Sequence, residues 1–138
     1  MPRSFVFLLA AGMAAVVAPA AGAKSTCTVP DEPAWHSCLT ARHATLSTGG
    51  VRLTRATPTL VIRLDEGCPG RLAKRKVVLR TKAGERLLSE KVAGSCRTDI
   101  ARFRVNLRPD LDVDPGTVIR SFWSGIKDDK VAPKVRLG

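Results

Sequence analysis

Trp35-His36-Ser37-Cys38 and, a little further on, His43 put two imidazoles, a hydroxyl and a sulfur into one short stretch. These are the types from which an activated nucleophile is built. The surrounding pattern argues against that use. Ser37 has no G-x-S-x-G turn around it, and Cys38 loses its nucleophilic thiolate if it is oxidised. No catalytic residue and no enzymatic activity are expected from this stretch. A second candidate is Asp110-Leu111-Asp112-Val113-Asp114-Pro115-Gly116, with acids at alternate positions as in a calcium loop. The register needs glycine sixth and glutamate twelfth, where this chain has Pro115 and Ser121, so a polar inter-strand loop turning at Pro-Gly is the better reading. Asp65 and Glu66 are adjacent, and neighbouring residues on a strand point to opposite faces, so they cannot share a proton or a metal.

Cys27, Cys38, Cys68 and Cys96 carry the chemistry that the pattern does support. Their spacing contains no C-x-x-C, and His36 and His43 complete no zinc knuckle, so neither a metal nor any other cofactor is expected. Two disulfides are expected instead, provided the chain leaves the cytoplasm. The first residues supply that condition. Arg3 is a positive n-region, Phe5 to Val17 an apolar core, and Ala21-Gly22-Ala23 a small-residue cleavage site, so residues 1–23 read as a signal peptide. That apolar stretch is shorter than the ~20 residues a membrane span requires, and nothing later reaches that length. A secreted product beginning at Lys24, with no membrane span, is the expectation. Of the three possible pairings, Cys27 with Cys38 and Cys68 with Cys96 is favoured, because each pair brackets a local unit.

The basic residues are the remaining candidates. The formal net charge of the 138 residues is +11, of which Arg3 in the leader carries one unit. A field of this size attracts polyanions in a salt-dependent way, and it also keeps a secreted protein soluble. Arg102, Arg104 and Arg108 fall on one face of one predicted strand. Arg71 and Lys74 lie in a basic run beside Cys68. Nucleic acid is disfavoured as a partner, since four Phe, two Trp and no Tyr leave few stacking platforms. Trp35, and Trp123 in Ser121-Phe122-Trp123-Ser124-Gly125-Ile126, are the aromatic candidates for an interface. Phe122 and Trp123 cannot both face a core, so one is exposed or is covered by another element, such as the N-terminal segment.

The elements that must carry these residues are strands. From Val51 onward the apolar pattern has period two. Leu60, Ile62 and Leu64 alternate with Thr59, Val61 and Arg63, and Ala101, Phe103, Val105 and Leu107 alternate with Arg102, Arg104, Asn106 and Arg108. A hairpin is expected over Lys76–Lys82 and Arg86–Val92, turning at Ala83-Gly84-Glu85. Val51–Arg55, Thr117–Trp123 and Val131–Leu137 are further strands, the last confined to an edge by Pro133. The expected fold class is all-β: a single small antiparallel sandwich over 49–138, stapled by two disulfides. Residues 24–48, with little periodicity, read as a disulfide-containing arm or loop, or as a first strand whose pattern is masked.

Asp99-Ile100-Ala101-Arg102-Phe103-Arg104-Val105 resembles the D-x-A-x-Y-x-C stretch at the start of the sixth strand of immunoglobulin-like domains, with Phe103 in the place of the tyrosine and Val105 in that of the cysteine. The resemblance spans seven residues and implies an immunoglobulin-like topology. The function expected is that of a secreted, non-catalytic protein-binding or adaptor module, such as a subunit of a toxin-like extracellular assembly. It would engage another secreted protein through the N-terminal arm or an exposed strand edge. Two alternatives are an inhibitor of a secreted protease or other hydrolase, presenting Arg71 or Lys74, and a binder of anionic cell-wall polymer.

Overall fold

The computed structural model describes residues 21–28, 34–126 and 132–138. The predicted signal peptide lies outside the described residues except for its last three. Ten strands make up the described chain: β1 (Ala21–Thr28), β2 (Trp35–Thr45), β3 (Val51–Arg63), β4 (Arg75–Thr81), β5 (Arg86–Val92), β6 (Gly94–Arg97), β7 (Ile100–Arg104), β8 (Leu111–Val113), β9 (Val118–Trp123) and β10 (Lys134–Arg136). They form two sheets. The first has the order β1-β2-β3-β7-β6, with β8 on the lower half of β3, and the second the order β10-β9-β4-β5. All the pairings are antiparallel.

The two sheets bury their apolar faces against each other. Leu39, Leu53, Leu60, Ala101 and Phe103 from the first meet Val77, Leu79, Ile119, Trp123 and Val135 from the second. This is the all-β sandwich the period-two pattern requires, and the alternation along β7 and β9 holds residue by residue. The hairpin β4–β5 turns where expected, with Gly84 at φ 101°, a conformation an L side chain rarely adopts.

Two expectations change. Val51–Arg55 and Thr59–Arg63 are one strand running through Pro58, which is buried in mid-sheet. Pro58 has no N–H to give, and the ladder thins opposite it: β7 stops at Arg104, Val105 makes a single long hydrogen bond of 3.4 Å to the Pro58 carbonyl oxygen, and a regular bridge returns at Ala56–Leu107. The described residues of 24–48, which are 24–28 and 34–48, are not an arm or loop. They hold most of β1, all of β2 and the turn after it, paired to β3 as the margin of the first sheet. Their period-two pattern is hidden because the inward positions of β2 are Ser37, Leu39, Ala41 and His43, half of them polar, while β1 is an edge strand of small and polar residues.

Candidate binding surfaces

Both expected disulfides are formed. Cys27 and Cys38 stand directly opposite one another on β1 and β2, with Cα atoms 4.0 Å apart, so this bridge fastens the edge strand to its neighbour. Cys68 and Cys96 tie the connection after β3 to β6, at the far side of the same sheet. Disulfides of this kind belong to an oxidising compartment, and no helix among the described residues is long and apolar enough to cross a membrane.

The residue types that could do nucleophilic chemistry do not converge. His36 points outward and is exposed, Ser37 points inward and is buried, and Cys38 is spent in a bridge. His43 is buried against Gly22 of β1. The segment expected as a polar loop holds strand β8, on which Asp112 stands opposite Arg52, whose Nε lies 2.7 Å from its Oδ1. That hydrogen bond holds the Asp112 carboxyl below its ordinary value of 3.8, the neighbouring positive charge adding to the effect. Among the described residues no three His, Cys, Asp or Glu stand together as a metal would require.

Trp123, expected as an interaction residue, is a core residue, 3% exposed. Alternation along β9 turns Ser121 and Trp123 inward and leaves Phe122 half-exposed on the outer face. Trp35 is half-buried, and with Ser37, Ser121 and Trp123 it lines a void of about 10 Å³ between the sheets. Both tryptophans are therefore part of the packing. Arg71 and Lys74 are exposed on the connection between β3 and β4, beyond the Cys68 bridge, where only Leu72 touches the core.

The arginines do assemble. Inward-facing Ala101 and Phe103 force Arg102 and Arg104 outward on β7. The register then adds residues that are remote in the chain. Ile100 stands opposite Arg63 of β3 on one side and Arg97 of β6 on the other, and Arg102 stands opposite Val61 and Ser95. Arg63, Arg97, Arg102 and Arg104 thus surround an aliphatic centre of Ile100 and Val61 on the outer face of the first sheet. Arg108, exposed just past Leu107, continues the charge along the chain. The one ion pair among the described residues, Arg52–Asp112, involves none of them. Sequence patterning finds Arg102, Arg104 and Arg108 but misses Arg63 and Arg97, because cross-strand neighbours leave no mark on local periodicity. Compared with protein families, curated proteins and solved structures, the chain finds no match.

Proposed function

We propose that this is a secreted, non-catalytic binding module, released by cleavage after Ala23, that joins an acidic partner protein through the outer face of its first sheet. The observation that carries the reading is the ring of Arg63, Arg97, Arg102 and Arg104 around Ile100 and Val61 with no carboxylate partner among the described residues. Protein interfaces favour an apolar centre and are enriched in arginine, whose planar fork pairs bidentately with carboxylates. A flat sheet face offers such a centre without needing a pocket. Retention of a partner from culture supernatant by the tagged wild-type protein, and its loss with Arg102→Glu/Arg104→Glu at unchanged thermal midpoint, is the expected result. Equal retention by both proteins excludes this face, and the intact mass of the exported form tests the cleavage point.

The topology we propose is immunoglobulin-like. Its support is the strand order: β2-β3-β7-β6 over β10-β9-β4-β5 follows the A-B-E-D and G-F-C-C′ arrangement of that architecture, with β1 added at one edge. On this assignment the Asp99–Val105 stretch falls on the fifth strand and not on the sixth, since β7 pairs with β3 and β6. The seven-residue resemblance therefore does not carry the topology, and the strand order does.

A second reading draws on the connection holding Arg71 and Lys74, which is exposed and anchored by Cys68–Cys96. A tethered basic loop suits the specificity pocket of a trypsin-like protease, as in an inhibitor. Inhibition of trypsin that disappears in Arg71→Ala/Lys74→Ala supports it, and rapid cleavage of the loop counts against it.

A further inference from the structure

The outer face of the second sheet carries a feature that no stretch of sequence displays. With Val77 and Leu79 turned inward on β4, and Ile119, Ser121 and Trp123 on β9, the outward positions are Lys76, Val78 and Arg80, and Val118, Arg120 and Phe122. The register aligns them. Lys134 of β10 stands opposite Arg120 of β9, Arg120 opposite Arg80 of β4, and Arg80 opposite Arg86 of β5. One cation from every strand of the sheet lies in a row across it, the last step to Arg86 crossing a register shift between Leu79 and Arg80. At a strand spacing of about 4.8 Å, that row runs roughly 14 Å.

Like charges placed directly opposite one another destabilise a sheet. Here the arrangement is repeated three times in succession, and the only hydrogen bond that a side chain of the row makes to the described residues runs from Arg80 Nη1 to the Gly84 carbonyl oxygen at 3.1 Å. The Arg120 Nε is buried without a partner among the described residues. Beside the row runs a strip formed by Phe122, Val78 and Ser89, and beyond it Lys76 faces Lys91. A depression of about 360 Å³ follows this strip, lined by Lys76, Arg80, Arg86 and Phe122 among others, with no carboxylate in its wall among the described residues.

We propose that this row is a binding site for a linear anionic polymer, whose regularly repeated phosphate or carboxylate groups pair with successive cations while its backbone lies along the Phe122–Val78 strip. A bound polyanion removes the repulsion that the empty row imposes, and arginine forks suit both anion types. Single-stranded nucleic acid fits less well, because Phe122 is the one aromatic side chain on this outer face among the described residues, and stacking needs a succession of rings. The site is distinct from the arginine ring of the first sheet. Together the two faces give an adaptor a polymer-anchoring side and a partner-binding side, but the polymer site stands whether or not the first face binds protein.

The test uses the exported protein and three defined probes at low and high salt: inorganic polyphosphate, polygalacturonate and an oligo-dT of matched charge. The expected result is salt-sensitive binding of polyphosphate or polygalacturonate, weakened tenfold or more by Arg80→Gln/Arg120→Gln and unaffected by Arg102→Gln/Arg104→Gln. The tighter of the two probes identifies the anion. The exposed Arg86→Gln single variant serves if the double variant fails to fold, and it is expected to weaken binding severalfold. Binding of neither polymer overturns the proposal. So does equal weakening by both double variants, which would reduce the effect to net charge, or tighter binding of oligo-dT than of either polymer. Failure of the first-sheet variant to release a protein partner bears only on the reading of the previous section.

Discussion

Phe103 of β7 and Trp123 of β9 meet across the sandwich with ring centroids 6.0 Å apart and planes tilted by 51°. Each comes from a different sheet, so this pair is where the two layers are keyed together. Arg75, at the start of β4, extends the contact: its guanidinium lies 5.6 Å from the Phe103 centroid and donates to the Ser124 carbonyl oxygen at 2.6 Å. Tilted aromatic pairs contribute beyond their buried area, by roughly 0.5–1.5 kcal/mol.

The Phe103 ring leaves no room on its other flank. Gly94 of β6 stands opposite it, and a Cβ there would come within 2.5 Å of the ring edge and 2.9 Å of the Arg102 carbonyl oxygen. The backbone contact cannot yield by side-chain rotation. Gly94→Ala is therefore expected to destabilise the fold by about 1–3 kcal/mol, read as a lower urea midpoint. An unchanged midpoint would mean that β6 shifts freely.

The two bridges have unequal consequences. Cys68–Cys96 closes a separation of 28 residues and ties the connection after β3 to β6, whereas Cys27–Cys38 closes 11 and joins adjacent strands at the other margin. Replacing Cys68 and Cys96 by serine is expected to cost on the order of 3 kcal/mol of global stability. Replacing Cys27 and Cys38 is expected to free β1 first, seen as rapid proteolysis or amide exchange over residues 24–28 while β7 and β9 stay protected. Simultaneous loss of protection in all three strands would contradict this division.

Ser121 is 1% exposed, and its hydroxyl has no hydrogen-bond partner among the described residues. Burying an unpaired hydroxyl costs roughly 1–3 kcal/mol. Ser121→Ala is thus expected to raise the thermal midpoint by a few degrees, since it removes the unpaired group at little cost in packing. A fall in midpoint would reveal a partner that this hydroxyl finds in solution.

The Arg52–Asp112 pair makes a pH prediction of definite sign. Asp112 titrates lower in the folded protein than in the unfolded chain, mainly through its hydrogen bond from Arg52. Its contribution is complete above the unfolded value of 3.8 and disappears as pH falls through the folded value. Both side chains are about half exposed, so solvent screening keeps the effect small. Asp112→Asn is expected to lower the midpoint slightly at neutral pH and not at all in strong acid. A difference that grows on acidification would reverse the assignment.

The amino-acid sequence by itself determined the class of this protein. Period-two alternation made a strand of Ile100–Arg104, the Ala83-Gly84-Glu85 turn made a hairpin, and four cysteines bracketing local units paired as expected, because each of these follows from patterns near in the chain. It misjudged 24–48, where Ser37 and His43 face inward and disguise the alternation, and it offered Trp123 as an interface residue, because which of Phe122 and Trp123 faces inward is set by the side of β9 that the other sheet covers. The cationic lines were decided by tertiary structure alone. Lys134, Arg120 and the Arg80–Arg86 hairpin lie far apart along the chain, and only hydrogen-bonded register between strands sets which side chains stand side by side.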